Sequence, residues 1–271
     1  MSHPVAVAAV EGPRTQAPFG RRACRVAGRE AIGPYVMVAI EDPGGPAPLP
    51  GQFYMLAGVR GWGGEAGRPY LGRAFSVCRV RGDRLEFLLE AVGPGTERLA
   101  KLEAGADAWV VGPLGIGFTE PPDGSRALLV GGGIGIAPLV IWAETLRTSF
   151  LTLLGFRNGR YAEAARLVPG DTRLASDDGA PQTHHGLVTD LLQQELSGTD
   201  TVYACGPAPM LEAVRRICVE HGVEAQLALE AGMACGFGAC FGCVVRTHDG
   251  WRRLCVDGPI ARAAELAEDW H

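Results

Sequence analysis

The chain has 271 residues, of which 47% are hydrophobic and 20% are charged, and its formal net charge is −5. This composition supports packed cores and excludes a largely disordered chain, and the length favours two domains. The negative charge argues against nucleic acid or an acidic membrane as the partner of the whole surface. Glycine contributes 39 residues, about twice the usual share, but without the three-residue period of collagen.

No segment of the sequence reads as a membrane span or an export signal. The longest uncharged run, residues 127–143, has 17 residues, fewer than the roughly 20 that a spanning helix needs, and it includes Pro138. The N-terminus lacks a basic region followed by a long apolar stretch. We therefore expect a cytoplasmic protein without a membrane partner, whose eight cysteines have a role other than disulfide formation.

The first part of the chain predicts an arm followed by a β domain. Residues 1–20 contain three prolines and little periodicity, which predicts a flexible arm. Residues 21–121 contain short strand-like segments between glycine and proline clusters, a spacing that favours a small antiparallel β-barrel. The predicted strands in this region include 34–40, 51–57, 74–79, 84–90 and 108–111.

After the turn sequence Pro-Pro-Asp-Gly at 121–124, the pattern changes to alternating strands and helices. This alternation over residues 122–224 predicts a Rossmann-like parallel sheet with crossover helices. Residues 225–271 form a last small segment that is rich in glycine and cysteine. The predicted fold class is therefore multidomain, β plus α/β. The predicted strands are 127–130, 150–155 and 201–205, and the predicted helices are 138–147, 187–196 and 210–221.

Four cysteines within 21 residues carry the strongest chemical signal, and they are Cys235, Cys240, Cys243 and Cys255. Their spacing is C-x4-C-x2-C-x11-C, and the first three match the plant-type ligand run of a 2Fe–2S cluster. The intervening glycines permit a tight backbone path around such a cluster. A zinc site is the alternative, but zinc prefers two short knuckles and only Cys240 and Cys243 make one. A redox Cys-x-x-Cys motif would not need the other two cysteines.

Two strand-to-helix loops predict a nucleotide site. The first, Gly131-Gly132-Gly133-Ile134-Gly135, follows a buried strand and precedes a helix, so its backbone can approach a pyrophosphate. The second, Cys205-Gly206, follows a later strand of the same predicted sheet, where ligands bind at the carboxyl ends of parallel strands. We expect Cys205 and Gly206 to flank a nicotinamide. A tight structural turn is the alternative for each loop.

Three motifs in the predicted barrel are candidate ligand contacts. Arg73-Ala74-Phe75-Ser76 places a phosphate-binding cation and a hydroxyl on one short strand, around an aromatic ring. Gly93-Pro94-Gly95-Thr96 precedes a helical stretch at 97–102 and is a candidate anion site. The glycine-rich segment 112–118 follows a strand and is expected to face the gap between the domains.

The order of these motifs resembles the ferredoxin-reductase-like flavoprotein superfamily. The endings LEAGMACGFGACFGCVV and LCVDGP resemble the electron-transfer subunits of NAD-linked dihydroorotate dehydrogenases. The resemblance covers residues 21–260, nearly the whole chain. It implies an FAD-binding barrel, an NAD(H)-binding domain and a C-terminal 2Fe–2S segment.

The resemblance also implies roles for individual residues. FAD would contact the Arg73–Ser76 strand, the strand of Leu88, Leu89 and Glu90, and the turn of Gly95 and Thr96. NAD(H) would contact Gly131, Gly132, Gly133, Gly135, Cys205 and Gly206, and the cluster would take Cys235, Cys240, Cys243 and Cys255 as ligands. Two positions depart from the family pattern. Glu90 stands where we expect a basic or neutral residue, and Ile260-Ala261-Arg262 stands where Val-Phe is usual.

In the family that the sequence resembles, the chain is one half of an oxidoreductase. The resemblance implies an electron relay between NAD(H), FAD, the 2Fe–2S cluster and the FMN of a catalytic partner that oxidises dihydroorotate to orotate, in a heterotetramer of two plus two subunits. No residue of this chain then needs to act as a general acid or base, and no catalytic residue is predicted. The alternatives are a FAD/2Fe–2S NAD(P)H–ferredoxin oxidoreductase, a hydrogenase or sulfide-reductase subunit, and a zinc-stabilised nucleotide-binding regulatory protein. Phe156-Arg157 leaves the choice between NADH and NADPH open.

Overall fold

A computed structural model describes residues 12–18, 20–63 and 69–270. Most of the predicted arm, residues 1–11 together with residue 19, lies outside the described residues. Thr15, in the described part of that arm, donates its N–H to Gln52 Oε1 at 3.2 Å and accepts from Gln52 Nε2 at 3.1 Å. This part of the arm is therefore attached to the β domain.

The first domain is a seven-stranded antiparallel sheet with the order β4-β3-β7-β1-β2-β6-β5. Its apolar side chains alternate inward, and the rings of Tyr54 and Phe87 meet edge to face with centroids 5.6 Å apart. The helix α1 (Pro94–Ala100) follows the strand that ends at Glu90. The strands are β1 (Arg22–Ile32), β2 (Tyr35–Glu41), β3 (Phe53–Gly58), β4 (Arg73–Ser76), β5 (Arg79–Arg81), β6 (Arg84–Glu90) and β7 (Asp107–Leu114).

The long strand β1 is absent from the predicted set. Three successive exposed residues, Arg29 to Ala31, interrupt its alternation of buried and exposed side chains, and its pairing with β2 shifts register between Val26 and Gly28. The strand pairs with β2 across a tight turn, since Ile32 lies opposite Tyr35, and with β7 on its other side. The pairing with β7 joins segments far apart in sequence and leaves no local pattern.

The second domain is a seven-stranded sheet with the order β11-β10-β9-β8-β12-β13-β16, parallel except at its last strand. The predicted parallel sheet with crossover helices is present. The helix α2 is buried from Ile136 to Ala143, which explains its uniformly apolar sequence. The strands are β8 (Arg126–Gly132), β9 (Ser149–Phe156), β10 (Thr172–Ser176), β11 (His184–His185), β12 (Thr201–Cys205) and β13 (Glu224–Ala228), and the helices are α2 (Ile136–Thr145), α3 (Val188–Glu195) and α4 (Ala208–Glu220).

The predicted boundary between residues 224 and 225 is displaced in the structure. The strand β13 pairs along its whole length with β12, so residues 225–228 belong to the parallel sheet. The strand β16 (Ile260–Arg262) then returns and pairs antiparallel with β13. The small segment is therefore an excursion between two strands of the same sheet.

The cysteine-rich segment is built on a short hairpin of β14 (Val244–Thr247) and β15 (Gly250–Arg253), followed by the one-turn helix α5 (Leu254–Asp257). Cys243 and Cys255 are buried in the same hydrophobic cluster as core residues of the second domain. The segment is thus packed onto the sheet.

The two larger domains touch through the glycine-rich segment 112–118 and through ion pairs. Ile116 donates its N–H to the carbonyl oxygen of Gly258 at 2.5 Å. Phe118 packs edge to face on Tyr203. Arg79 Nε lies 2.6 Å and Arg81 Nη2 lies 2.8 Å from Glu144 Oε1 on α2. Segment 112–118 therefore lies at the domain junction, as expected from its glycines.

Across the described part of the chain, every helix is too short or too polar to cross a lipid bilayer.

Candidate cofactor sites

A cavity of about 620 Å³ lies at the carboxyl ends of the parallel strands β8, β9, β10 and β12. The glycine loop between β8 and α2 forms its floor. Of the predicted nucleotide residues, Gly132, Gly133, Gly135 and Gly206 line the cavity. Gly131 does not, because it is packed beneath the loop against Leu154. The two predicted loops therefore meet at one site, as the sequence indicated.

The two loops are in such close contact that side chains are excluded. A Cβ atom on Gly135 would overlap the carbonyl oxygen of Cys205, and one on Gly132 would overlap Met210 Sδ. Packing between the loops requires glycine at position 135, where the neighbour is backbone, whereas at position 132 the side chain of Met210 would have to move. The backbone of the first loop remains free to face the cavity.

Cys205 does not flank the cavity with its side chain, contrary to the expectation from sequence. It is the last residue of β12, and its thiol is buried in the core of the nucleotide domain. Burial raises the pKa of Cys205 well above its ordinary value. Of this pair, only Gly206 lines the cavity.

A second cavity, of about 250 Å³, lies between the β domain and the start of the cysteine-rich segment. All four residues of the predicted flavin motif, Arg73 to Ser76 on β4, line it. Phe53 of β3 and Met233 form other parts of its wall. The strand predicted to contact a flavin thus faces the junction of the domains, and we call this second cavity the flavin cavity.

Arg73 connects this cavity to the Gly95 turn. Its Nη1 donates to the carbonyl oxygen of Leu71 at 2.7 Å, and a Cβ on Gly95 would lie only 2.7 Å from Arg73 Nε. Within the described residues, no carboxylate is paired with Arg73. Thr96 caps the turn, since its Oγ1 accepts the N–H of Val92 at 3.0 Å and of Gly93 at 3.1 Å. A guanidinium without a carboxylate partner beside a glycine turn is suited to a phosphate group.

The three residues predicted as flavin contacts on β6 separate in the structure. The side chains of Leu88 and Leu89 are buried in the core and line neither cavity. Glu90 lines the first cavity, which we call the dinucleotide cavity after the motifs that predicted it. There its Oε1 accepts from Arg157 Nη2 at 2.6 Å and from the Tyr161 hydroxyl at 2.8 Å. Glu90 is the last residue of β6, where the strand leaves the core, whereas Leu88 and Leu89 lie inside it.

The four cysteines of the C-terminal segment interact with one another. The thiol of Cys235 interacts with that of Cys240, and the thiol of Cys255 interacts with those of Cys243 and Cys235. Cys243 and Cys255 are buried, whereas Cys240 is exposed. The N–H of Gly238 donates to Cys255 Sγ at 3.1 Å. One part of this group of thiols is therefore shielded from solvent, and the part that contains Cys240 is accessible.

Backbone donors and burial shift the pKa values of these thiols in opposite directions. Burial acts to raise the pKa of Cys235, but hydrogen bonds from the backbone of Cys240, Phe237 and Ala239 outweigh it and lower the pKa to about 6. Burial, with the neighbouring Cys243, raises the pKa of Cys255 to about 12. Amides aimed at sulfur favour the thiolate, the form that binds metal.

The donor set fits an iron–sulfur cluster. A 2Fe–2S cluster distributes four thiolates over two irons. The four thiols, with backbone amides directed at the sulfurs of Cys235 and Cys255, match that requirement.

Sequence reasoning missed Glu230, which lines both cavities and is the only one of the described residues to do so. It follows the carboxyl end of β13, a position that could have marked it. Its side chain is open to solvent through the cavities, yet desolvation by the surrounding protein raises the pKa of its carboxyl. No hydrogen bond or ion pair to Glu230 is found among the described residues.

Comparison with known proteins agrees with this geometry. Residues 230–267 match the iron–sulfur cluster binding domain of dihydroorotate dehydrogenase B. The chain is 36% identical over 223 residues to the electron transfer subunit of dihydroorotate dehydrogenase B (NAD(+)) from Clostridium perfringens, covering 80% of this chain and 86% of that protein. The corresponding subunit from Geobacillus thermodenitrificans is 37% identical over 229 residues, with 80% and 86% covered.

Solved structures show the same architecture. An NADH-dependent reduced ferredoxin-NADP oxidoreductase superposes with a TM-score of 0.77 at 26% identity, covering 93% of this chain and 92% of that one. A ferredoxin reductase of carbazole 1,9a-dioxygenase shares the fold, with a TM-score of 0.62 at 21% identity over 75% of this chain and 66% of that one. The fold and its cavities are those of a ferredoxin-reductase-like oxidoreductase with an added iron–sulfur segment. The chain belongs to the family of dihydroorotate dehydrogenase B electron transfer subunits.

Proposed function

We propose that this chain relays electrons between NAD(H) and a catalytic partner subunit that contains FMN and oxidises dihydroorotate to orotate. FAD and a 2Fe–2S cluster in this chain are the intermediate carriers. The observation that carries the proposal is the placement of three sites in sequence, since the dinucleotide and flavin cavities share Glu230 and the four cysteines follow directly after it. We further propose a heterotetramer of two such chains with two catalytic subunits.

The order of the carriers follows from their chemistry. A nicotinamide exchanges a hydride, an iron–sulfur cluster exchanges single electrons, and a flavin can do both, so FAD belongs between the other two. This order is supported by the flavin cavity, which shares Glu230 with the dinucleotide cavity and is also lined by Ala231 and Met233, just before the first cysteine. This part of the proposal needs no acid or base from the protein.

The nucleotide domain supplies the dinucleotide site. Gly133 and Gly135 bring backbone amides to the cavity, and the ten-residue helix α2 begins immediately after them. Unpaired amides and the positive end of a helix dipole stabilise an anionic pyrophosphate. Gly206 contributes a surface without a side chain at the neighbouring strand end.

The β domain supplies the flavin site. Arg73 is placed to bind a phosphate with its planar fork of donors, beside the Gly95 turn. Phe75 and Ser76 line the same cavity and would border the ring system. The role of these residues is to hold the flavin between the two domains.

The cysteine-rich segment supplies the exit toward the partner. Cys240 is exposed, and the neighbouring Phe237 and Phe241 are 67% and 49% exposed. Large exposed aromatic side chains grouped on one loop are typical of protein–protein contacts. We place the catalytic subunit over this loop, where one side of the thiol set is accessible.

A cytoplasmic location belongs to the same proposal. All eight cysteines are free thiols, which agrees with a reducing compartment.

The proposal is tested by copurification of the chain with its native partner, followed by identification of the bound flavins. The complex should contain FMN as well as FAD, and dihydroorotate should reduce it with transfer of electrons to NAD+. A complex that contains FAD but is not reduced by dihydroorotate would contradict the proposed substrate.

A second candidate differs only in the partner. The likeness to an NADH-dependent reduced ferredoxin-NADP oxidoreductase covers 93% of this chain, so ferredoxin-linked transfer is the alternative. The same copurification separates the two, because that alternative predicts a flavin-containing partner that ferredoxin, and not dihydroorotate, reduces.

A further inference from the structure

An ion pair joins the two domains at the wall of the dinucleotide cavity. Glu90, at the end of β6 in the β domain, binds Arg157 Nη2 at 2.6 Å and the Tyr161 hydroxyl at 2.8 Å. The guanidinium carbon of Arg157 also lies 4.3 Å from the centre of the Tyr161 ring. Arg157 is therefore held from two sides while it faces the cavity.

The position of Arg157 in the sheet makes this ion pair relevant to the choice between NADH and NADPH. Arg157 directly follows β9, which is the strand after the glycine loop and lies beside β8 in the sheet. In dinucleotide-binding folds, the residue near the end of this strand contacts the adenosine ribose, and an arginine there accommodates a 2′-phosphate. Arg157 alone would therefore predict a site for NADPH.

The charges around the cavity oppose that prediction. Its charged lining consists of three acids and one base, namely Glu90, Asp177, Glu230 and Arg157. NADPH carries one more phosphate than NADH, and an added dianion is unfavourable beside unpaired carboxylates. Because Arg157 is neutralised by Glu90, the cavity offers no uncompensated cation to that phosphate.

We propose that Glu90 makes this chain selective for NADH over NADPH, because it holds Arg157 away from a 2′-phosphate and repels that phosphate with its own charge. An ion pair with one exposed partner is weak on its own, and the Arg157 side chain is 60% exposed. Both effects of Glu90 are therefore needed. The inference rests on the proposed function, since it takes the cavity as the dinucleotide site.

The test uses the purified holoprotein and its reduction of an artificial dye by each nucleotide. Glu90→Gln removes the charge but keeps an acceptor for Arg157 and Tyr161. We expect kcat/KM for NADPH to rise about tenfold relative to kcat/KM for NADH, the scale of one charge-assisted contact. In the double variant E90Q/R157A most of the gain should disappear, because the cation that binds the phosphate is gone and only the relief of repulsion by Glu90 remains.

Glu163→Gln is the matched control, since Glu163 is a half-exposed acid on the same 3₁₀ segment as Tyr161 but does not line the cavity. It should leave the ratio of NADH to NADPH unchanged. The proposal is overturned if E90Q leaves NADPH use unchanged, if its gain survives undiminished in E90Q/R157A, or if E163Q gives the same gain.

A second measurement applies if Glu90 variants lose FAD. In the unmodified holoprotein, inhibition of NADH oxidation is compared for 5′-AMP and adenosine 2′,5′-bisphosphate, which differ only in the 2′-phosphate. The bisphosphate should inhibit about tenfold more weakly, and equal or stronger inhibition would overturn the proposal. A holoprotein that oxidises neither nucleotide contradicts the proposed function instead, whereas one that oxidises both equally contradicts only this inference.

Discussion

Arg73 and Gly95 lie in contact, so that a Cβ atom at Gly95 would lie 2.7 Å from Arg73 Nε and 3.0 Å from Arg73 Cζ. The two residues come from different elements, the strand β4 and the start of helix α1. Their contact assembles a cation and a glycine turn into one surface at the flavin cavity. The absence of a side chain at Gly95 sets where the guanidinium lies.

Gly95→Ala is therefore expected to displace the Arg73 guanidinium and weaken FAD binding by about tenfold, the loss of one charge-assisted contact. The fold should be retained, because the displaced atoms belong to the end of a flexible side chain. Gly93→Ala is the control, since a Cβ there meets no atom within 4 Å. The FAD dissociation constant of each apoprotein measures the effect, and equal affinity in both variants would show that Arg73 does not bind the flavin.

Cys240→Ala should remove the cluster while FAD binding and NADH-driven dye reduction persist, because dye reduction needs only the flavin. The control is Cys218→Ala, which changes a buried thiol of α4 outside the segment and should retain the cluster. Iron content and the visible spectrum report the cluster, and a dye assay reports the flavin. Loss of dye reduction in C240A with FAD still bound would show that the linear order of carriers is wrong.

Gly135→Ala should separate the two nucleotide loops, because the new Cβ overlaps the backbone of Cys205 and neither side can give way cheaply. Overpacking of this kind costs about 1–3 kcal/mol of folding stability, and NADH binding should weaken with it. Gly44→Ala, where a Cβ meets nothing within 4 Å, should change stability by less than about 0.5 kcal/mol. Chemical denaturation and NADH titration measure the two effects. A G135A protein as stable as wild type would contradict the packing account.

Glu144 predicts a pH-dependent contact between the domains. Burial acts to raise the pKa of this carboxyl, but hydrogen bonds from Arg81 and Arg79 outweigh it and hold the pKa below the usual 4.5. The contribution of ionised Glu144 to folding stability is therefore complete at pH values above about 4.5. It is lost as the pH falls through the lower pKa that Glu144 has in the folded state.

Glu144→Gln should accordingly lower the Tm at neutral pH, and its difference from wild type should shrink below pH 4.5. Glu103→Gln, at a side chain that is 80% exposed, is the control and should match wild type throughout. Thermal melts across this pH range measure the effect. A difference in Tm that stays constant with pH would mean that Glu144 does not stabilise the fold through its charge.

Local sequence patterns were sufficient for the loops and the cysteine run. Glycine loops after buried strands are local signals, and so is the spacing of Cys235, Cys240 and Cys243. The structure accordingly brings Gly132, Gly135 and Gly206 to one cavity.

Contacts between distant elements left no comparable signal. Glu90 and Arg157 are 67 positions apart, and nothing in either neighbourhood indicates that they pair. The burial of the Cys205 side chain follows from its register on β12, and the return of β16 to β13 follows from pairing between segments far apart in sequence. These features depend on the assembled sheet and could be recognised only from it.

The most direct test of the electron relay is anaerobic titration of the purified chain with NADH, followed by visible and EPR spectroscopy with metal analysis. The account predicts one FAD and two irons per chain, bleaching of the flavin and cluster absorption by NADH, and an EPR signal of the reduced cluster. A colourless protein with one zinc and no iron would contradict it.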